Sequence, residues 1–306
     1  MSAPLLALYA GVRGLIYLSL LLMIGGQVAV RLVRSALSDH GELARSIRDR
    51  AAKLSRQIVP VFICLVVARG ALQVLSFHEP GDAIDAGLMQ GVLVGTSWGS
   101  AWLLQLAAAL VLTCVVNFSA PAAARTSSWI TIILAVIVWA QSGMGHAATN
   151  KWMAPLGRLL DSVHLTGAGI WIGTLGVLAL VALPSLRTDE RLTALAMVVR
   201  SFSVFARAGV TLVMVSGVIA ALVYAGSLQL LFDATWGRLL LVKVTIMIGV
   251  LALGWYNWKV VTPALDGADA GARAKLRTAI RLELLLALAM LAITTMLVAS
   301  PLPGES

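Results

Sequence analysis

Long apolar runs separated by short polar segments make up most of the chain. A helix needs about 20 apolar residues to cross the hydrocarbon core of a bilayer, and eight stretches approach or reach that length. These stretches lie at about 5–30, 58–78, 98–118, 128–146, 158–183, 203–226, 237–258 and 281–299. Because lipid cannot satisfy backbone polar groups, the pattern predicts an all-α, polytopic membrane protein with about eight transmembrane helices. We interpret residues 1–306 as a single membrane domain.

The basic residues lie almost entirely in alternate connecting segments. One set carries sixteen Lys and Arg residues and comprises the segments 31–57, 119–127, 184–202 and 259–281. The other set carries three, namely Lys151, Arg158 and Arg238. By the positive-inside rule the first set faces the cytoplasm, so both termini and the segments of the second set are predicted to face outward.

Composition agrees with this assignment. Hydrophobic residues make up 59% of the chain and charged residues 12%, well below the quarter that is usual in soluble domains. Since the net charge of +9 resides mainly in the predicted cytoplasmic segments, we interpret it as a topology signal that contacts lipid headgroups, and nucleic-acid binding is not expected. Cys64 and Cys114 both lie in apolar stretches, which argues against a disulfide. The N-terminus lacks a basic region and is expected to be a retained first helix.

A candidate metal site lies in the predicted outer hairpin between the fourth and fifth spans. His146 and His164 are 18 residues apart, so an antiparallel hairpin places them at similar depth. Neutral imidazole is the commonest metal ligand, and Met144 and Met153 are candidate thioether donors. A mixed set of imidazole and thioether favours copper, as Cu(I) or Cu(II). The alternative is a pair of interfacial histidines bonded to the backbone, with the methionines as packing residues.

Other polar residues at membrane depth are candidate supports of this site or of a transport path. Asp161 lies three residues before His164 on the same helical face, where it is expected to accept the second ring N–H. Trp171 lies seven residues after His164 on that face. Lys243 is expected either to reach the outer headgroups or to neutralise a buried carboxylate, and Glu283 to lie on the path or in an ion pair near the cytoplasmic surface.

Motifs of enzymes are missing from the sequence. There is no Walker A sequence, no CxxC pair and no Ser/His/Asp constellation, so a transporter is expected and not an enzyme. Two further interpretations of His146 and His164 remain open at this stage. The pair would ligate the iron of a b-type haem in a membrane cytochrome, or it would be merely interfacial in a ligand-free membrane assembly factor.

Three segments resemble the CopD family of copper-resistance membrane proteins. They are DSVHLTGAGIWIGTL at 161–175, the two-helix segment from FSVFARAGV to IMIGVLAL at 202–253, and RLELLLALAMLAITTMLVASPLP at 281–303. They contain His164, the Trp-Gly-Arg entrance with Lys243, and Glu283. The resemblance is strongest over 141–303, the CopD-like core, and looser over the first half, 1–146.

The resemblance implies a bacterial inner-membrane protein that takes copper from the periplasm and carries it inward. It places the family's histidines on His146 and His164, and it implies a separate periplasmic carrier like CopC, since no such domain fits the short outer segments.

A repeat of two parallel four-span halves is also indicated, because Trp-Gly pairs open the third span at Trp98 and the seventh at Trp236.

Overall fold

The computed structural model describes residues 3–78, 85–118, 124–145, 154–186, 188, 191–224, 229–267 and 271–299. Every regular element in these ranges is helical, which confirms the predicted all-α class. We number the helices α1 Ala3–Ala36, α2 Gly41–Ser76, α3 Ala86–Leu93, α4 Ser97–Phe118, α5 Ala124–Ser142, α6 Ala154–Ser185, α7 Leu192–Tyr224, α8 Leu230–Asp233, α9 Thr235–Leu265 and α10 Ala272–Ala299.

Each of the eight predicted spans corresponds to a helix. Seven of the described helices are long and apolar enough to cross a membrane, namely α1, α2, α4, α6, α7, α9 and α10. The fourth predicted span corresponds to α5, whose apolar part, Ser127–Ser142, is shorter than the others. The chain is therefore a multi-helix membrane protein, while the count of eight spans and the repeat of two halves stay predictions.

The helices extend further than the apolar stretches that predicted them. The segment 31–57 was expected to be a loop, but α1 continues to Ala36 and α2 already begins at Gly41. The basic residues of this segment alternate with Ala, Leu and Ile, which favour a helix that continues past the bilayer. In the outer segment 79–97, Asp85 caps the short helix α3 by accepting a hydrogen bond from the Leu88 N–H at 2.8 Å.

Helix α1 lies at the centre of the bundle and packs against α2, α6 and α10. At its crossing with α6 the two backbones touch, because a Cβ atom on Gly173 would overlap the Leu21 carbonyl and one on Gly25 would overlap Gly173. Only glycine permits this approach. The crossing joins a first group of helices, α1, α2, α4 and α5, to a second group, α6, α7, α9 and α10.

Apolar side chains fill the bundle and also cover its outside. One buried cluster lies within the first group and includes Phe62 and Ile137, and a smaller one surrounds Trp171 in the second group. Leu110, Leu222 and Leu285 are each at least half exposed. Exposed leucines of this kind are costly in water and favourable against lipid, which agrees with a membrane location.

Two helices of the second group contain π-helical turns. Helix α6 has them at Gly169–Gly173 and Leu178–Ala182, and α9 has one at Asn257–Val261. In the last of these the Thr262 hydroxyl donates to the Asn257 carbonyl at 2.9 Å. Turns of this type often occur at functional sites because they redirect side chains within a helix.

Candidate functional site

His164 lies on α6 and faces α7. Its Nδ1 atom is 3.2 Å from the Ser216 hydroxyl oxygen. That hydroxyl already donates its only hydrogen to the Leu212 carbonyl at 2.6 Å. The same hydroxyl also lies 3.3 Å from the Val213 carbonyl. If Ser216 donates within its own helix, the tautomer that fits carries its proton on Nδ1 and a lone pair on Nε2.

Glycines let the imidazole come this close to α7. A Cβ on Gly217, next to Ser216, would lie 3.4 Å from the His164 Cε1 atom. One turn deeper, a Cβ on Gly167 would lie 2.8 Å from the Gly209 carbonyl oxygen, so the two helix backbones are nearly in contact. The small residues at this crossing hold His164 at a fixed depth between the helices.

Three further polar residues lie near His164 or its neighbour Asp161, at the helix ends that are predicted to face outward. The Lys243 ammonium on α9 interacts electrostatically with the Asp161 carboxylate and with His164. The Tyr224 hydroxyl is buried, has no hydrogen-bond partner among the described residues and lies in the field of Asp161. We call Asp161, His164, Ser216, Tyr224 and Lys243 the outer polar cluster. Which of its two expected roles Lys243 has, at the outer headgroups or beside a buried carboxylate, stays a prediction.

The end of α5 lies against this cluster. A Cβ on Gly145 would be 3.8 Å from the Asp161 Oδ2 atom. Nearby, the Ser162 hydroxyl on α6 donates to the Ser142 hydroxyl on α5 at 3.1 Å. The two helices of the predicted hairpin therefore meet at the level of Asp161. His146 and Met153 lie outside the described residues.

The Met144 side chain is 5% exposed and belongs to the buried cluster of the first helix group, against which Leu165, the neighbour of His164, also packs. The Met144 carbonyl accepts a hydrogen bond from Arg69 Nη2 at 3.5 Å. The Nδ1 atom of His164 lies next to Ser216, and the expected contact of its other ring nitrogen with Asp161 stays a prediction.

The metal site that the sequence predicts is not complete within the described residues. Among them, no group of three or more His, Cys, Asp or Glu side chains is close enough to hold an ion. Cys64 and Cys114 are free thiols on exposed helix faces. The described part of the hairpin thus presents one oriented imidazole and one nearby carboxylate, and a complete copper site requires donors from 146–153.

A second polar network lies within the first helix group. The guanidinium of Arg69, only 1% exposed, donates from Nη1 to Gln141 Oε1 at 3.0 Å, and Gln105 Nε2 donates to the same oxygen at 2.9 Å. Arg69 also lies over the Trp98 ring at 5.6 Å. The amide oxygen of Gln141 is thus an acceptor for a charge that sequence reasoning left without a partner, and the contact fixes the end of α5 next to the outer polar cluster.

Trp171 and Glu283 lie deeper in the bundle than the outer polar cluster. Trp171 is 4% exposed and lies seven residues, about 10 Å, along α6 from His164. Glu283 on α10 is 3% exposed, and its Oε1 accepts a hydrogen bond from Asn257 Nδ2 at 2.6 Å. The Glu283 carboxylate is thus hydrogen-bonded to a side-chain amide in a π-helical turn. Arg281, the expected partner of Glu283 in the ion-pair alternative, is exposed.

Ser216 and Asn257 are site residues that sequence reasoning missed. Each is an isolated polar residue in an apolar helix, which is a weak signal because such a side chain often bonds only to its own backbone. The pairing with His164 or Glu283 depends on how the helices pack.

Comparisons with known proteins agree with the CopD resemblance. The profile of the family described as "Copper resistance protein D-like, N-terminal domain" matches residues 1–154, and that of "Copper resistance protein D" matches residues 196–297. The chain is 32% identical over 179 residues to the copper transport protein CutJ of Bacillus subtilis (strain 168), across 57% of this chain and 32% of that protein. It is 30% identical over 203 residues to copper resistance protein D of Pseudomonas syringae pv. tomato, across 62% of this chain and 64% of that protein.

The chain thus spans about a third of the Bacillus relative and just under two thirds of the Pseudomonas relative. No solved structure matches it.

Proposed function

Because the chain belongs to the copper resistance protein D-like family, we propose that it binds copper at the outer polar cluster and carries it inward across a bacterial inner membrane. The chain is a helical membrane protein with a copper-related role, as its family membership and its apolar helices indicate. Both termini face the periplasm in this proposal, and the basic segments face the cytoplasm. A separate CopC-like carrier delivers the metal to the outer side.

The observation that carries the proposal is the orientation of the His164 ring. In this proposal Ser216 accepts the Nδ1–H, which leaves Nε2 unprotonated and available to a metal; the 3.2 Å contact between Nδ1 and the Ser216 hydroxyl supports it. A histidine ligand inside a membrane bundle needs such a fixed partner, because otherwise the ring could rotate away from the metal.

His146 is proposed as the second imidazole ligand. It follows Gly145 directly in the chain, so their Cα atoms are about 3.8 Å apart, and Gly145 itself lies next to Asp161. Met153 is proposed as the sulfur donor from the same segment. Met144 is assigned to packing, because its side chain lies in the buried cluster of the first helix group.

Asp161 and Lys243 are proposed to tune the electrostatics of the copper site. An arriving cation is repelled by the Lys243 ammonium and attracted by the Asp161 carboxylate, so their mutual pairing moderates both effects. Displacement of Lys243 from Asp161 on copper arrival would make the carboxylate available to the metal. Trp171, about 10 Å deeper, then separates the site from the inner half of the bundle.

Copper binding by purified protein tests the assignment. We expect wild-type protein in detergent to bind copper, measured by elemental analysis after desalting, and His164→Ala and the double variant with His146→Ala to lose most of it. His40→Ala is the matched control, since His40 is exposed between α1 and α2 on the predicted cytoplasmic side. Equal copper content in the double variant and the wild type would rule out this site.

Cellular copper accumulation tests the direction of transport. Cells that express the protein should accumulate more copper than cells with the double histidine variant at equal expression, if transport is inward. Lower accumulation with the wild type would reverse the proposed direction. A visible spectrum of the purified protein provides a further check, because a Soret band would favour the haem alternative.

A further inference from the structure

An elongated cavity lies between α6, α7, α9 and α10, on the inner side of Trp171. Its volume is about 370 Å³, within the usual range for small-molecule sites. Along α6 its wall runs from Trp171 to Leu186, about four helical turns. Side chains from all three described π-helical turns line it, including Trp171, Leu178 and Trp258. The π-helical turns therefore shape this cavity.

One side of the cavity is open toward the lipid. Trp255 and Trp258 belong to its wall and are 61% and 46% exposed. Helix α7 contacts α9 chiefly through the segment Thr262–Asp266, at the C-terminal end of α9. Toward the N-terminal end of α9 the two helices diverge. A molecule dissolved in the bilayer can thus enter sideways between α7 and α9.

Most residues of the cavity wall are apolar. Of the charged residues that line the cavity, Glu283 is the buried one. The Glu283 carboxylate accepts one hydrogen bond, from Asn257 Nδ2 at 2.6 Å. No ion pair to it occurs within the described ranges, and Arg207, the other charged lining residue, lies over the Trp258 ring at 5.8 Å. The Asn257 Oδ1 atom is buried and has no hydrogen-bond donor in the part of the chain that the structure describes. The polar end of the cavity therefore presents acceptor oxygens that need a donor.

These features define the chemistry of a fitting ligand. A single metal ion is far smaller than the cavity, and one carboxylate with one amide is a poor copper ligand set. A ligand with an anionic head would be repelled by Glu283. A hydrophobic chain with a protonated amine would place its cation against the carboxylate and donate to Asn257, while the chain occupies the apolar wall.

Depth in the membrane also fits such a ligand. Glu283 lies two residues beyond the exposed Arg281 on α10, close to the predicted cytoplasmic surface. Amphiphiles in a bilayer keep the charged head at this interfacial level and the chain in the hydrocarbon core. The cavity runs from this level toward Trp171, near the middle of α6. We propose that the cavity binds a single-chain hydrophobic amine from the inner leaflet, with its ammonium on Glu283 and Asn257.

Binding of dodecylamine tests this site directly. Full-length protein would be placed in phosphatidylcholine nanodiscs, and retention of radiolabelled dodecylamine would be compared with empty nanodiscs. We expect saturable binding at about one amine per chain that dodecanoic acid fails to displace. Displacement by the acid as effective as by unlabelled amine, or no binding above empty nanodiscs, would overturn the proposal.

Two variants test separately how the Glu283 charge and the volume of the cavity contribute to amine binding. Glu283→Gln keeps the size and should weaken amine binding at least tenfold, while Glu42→Gln, an exposed glutamate on α2, should have no effect. Ala206→Phe places a ring in the cavity and should abolish amine binding. Unchanged amine affinity in both Glu283→Gln and Ala206→Phe would contradict the assignment, even if the wild type binds amine.

The site is independent of the copper proposal. Glu283→Gln should leave copper content unchanged, and His164→Ala should leave amine binding unchanged, so failure of one proposal does not imply failure of the other. If Glu283→Gln does not fold, the selectivity of the wild type for amine over acid and the Ala206→Phe variant still decide the question.

Discussion

The Nδ1 atom of His164 on α6 lies 3.2 Å from the hydroxyl oxygen of Ser216 on α7, within hydrogen-bond distance. The same hydroxyl donates to the Leu212 carbonyl within its own helix at 2.6 Å. This two-step chain connects the ring to the backbone of a neighbouring helix. It fixes the tautomer and the direction of Nε2 before any metal arrives.

Loss of the Ser216 hydroxyl should weaken copper binding without loss of the fold. We expect Ser216→Ala to lower copper affinity by about 10- to 100-fold, because the ring then lacks the acceptor that holds Nδ1–H in place. Titration of purified protein against a competing copper chelator measures this. Ser203→Ala is the matched control on α7, since the Ser203 hydroxyl also bonds its own helix, to the Val199 carbonyl, and lies far from His164. Wild-type affinity in Ser216→Ala would show that the contact does not orient the ligand.

Asp161 and Lys243 should be coupled in stability. Replacement of either one leaves the other charge without its partner inside the bundle, which is costly in a membrane. We therefore expect Asp161→Asn and Lys243→Met each to lower the free energy of unfolding, and the double variant to lose less than the sum, with a coupling of about 0.5–3 kcal/mol. SDS titration in mixed micelles measures the free energy of unfolding of the wild type, the two single variants and the double variant.

The control cycle uses Asp233 and Arg238, which are exposed at the outer ends of α8 and α9. Asp233→Asn and Arg238→Met should be additive, since solvent screens exposed charges. Additivity in the Asp161 and Lys243 cycle as well would mean that the two charges do not support each other.

The sequence predicted the helices well and the cross-helix contacts poorly. The eight apolar stretches each correspond to a helix, because the need to satisfy backbone groups in lipid leaves a chain few alternatives. His164 was identified because an ionisable residue at membrane depth is rare. Its partner was not, since Ser216 lies 52 residues away and only the register of α6 against α7 brings the two together.

The hydrogen-bond acceptor of Arg69 is a second contact between helices that the sequence did not identify. Its position in an apolar stretch predicted a buried acceptor, but the sequence could not indicate which one. The structure identifies Gln141, 72 residues away, which Gln105 also contacts. Two neutral amides have no charge pattern that a sequence can reveal.

Arg69 should therefore be a stability residue of the first helix group. Arg69→Leu removes the hydrogen bonds to Gln141 and to the Met144 carbonyl, so that the Gln141 amide oxygen keeps only its bond from Gln105. Bonds of this kind to a charged group contribute about 1.5–3 kcal/mol each. We expect a loss of at least about 2 kcal/mol, measured by SDS titration. Arg238→Leu, at an exposed position, should change stability little, and an equal loss in both variants would contradict a specific role for Arg69.

The proposed orientation predicts which positions a membrane-impermeant thiol reagent reaches. In a background with Cys64→Ala and Cys114→Ala, Gln90→Cys on α3 should be labelled in intact cells or spheroplasts. Ser38→Cys, between α1 and α2, should be labelled only after lysis. Both positions are exposed, so a difference in labelling reports the side of the membrane. The opposite pattern would invert the topology and place the outer polar cluster in the cytoplasm.

The crossing of α1 and α6 should tolerate no side chain at Gly173. A Cβ there would overlap the Leu21 carbonyl, which belongs to a helix backbone and cannot move aside as a flexible side chain would. Gly173→Val should therefore separate the two helices, which are the main link between the two helix groups, and lower the free energy of unfolding by at least about 3 kcal/mol. Gly11→Val on α1 has the same intrinsic helix preference but nothing within 4 Å of the added Cβ, so it should fold normally. The folded fraction in size-exclusion chromatography compares the two variants. A well-folded Gly173→Val would mean that α1 and α6 do not cross in contact at this point.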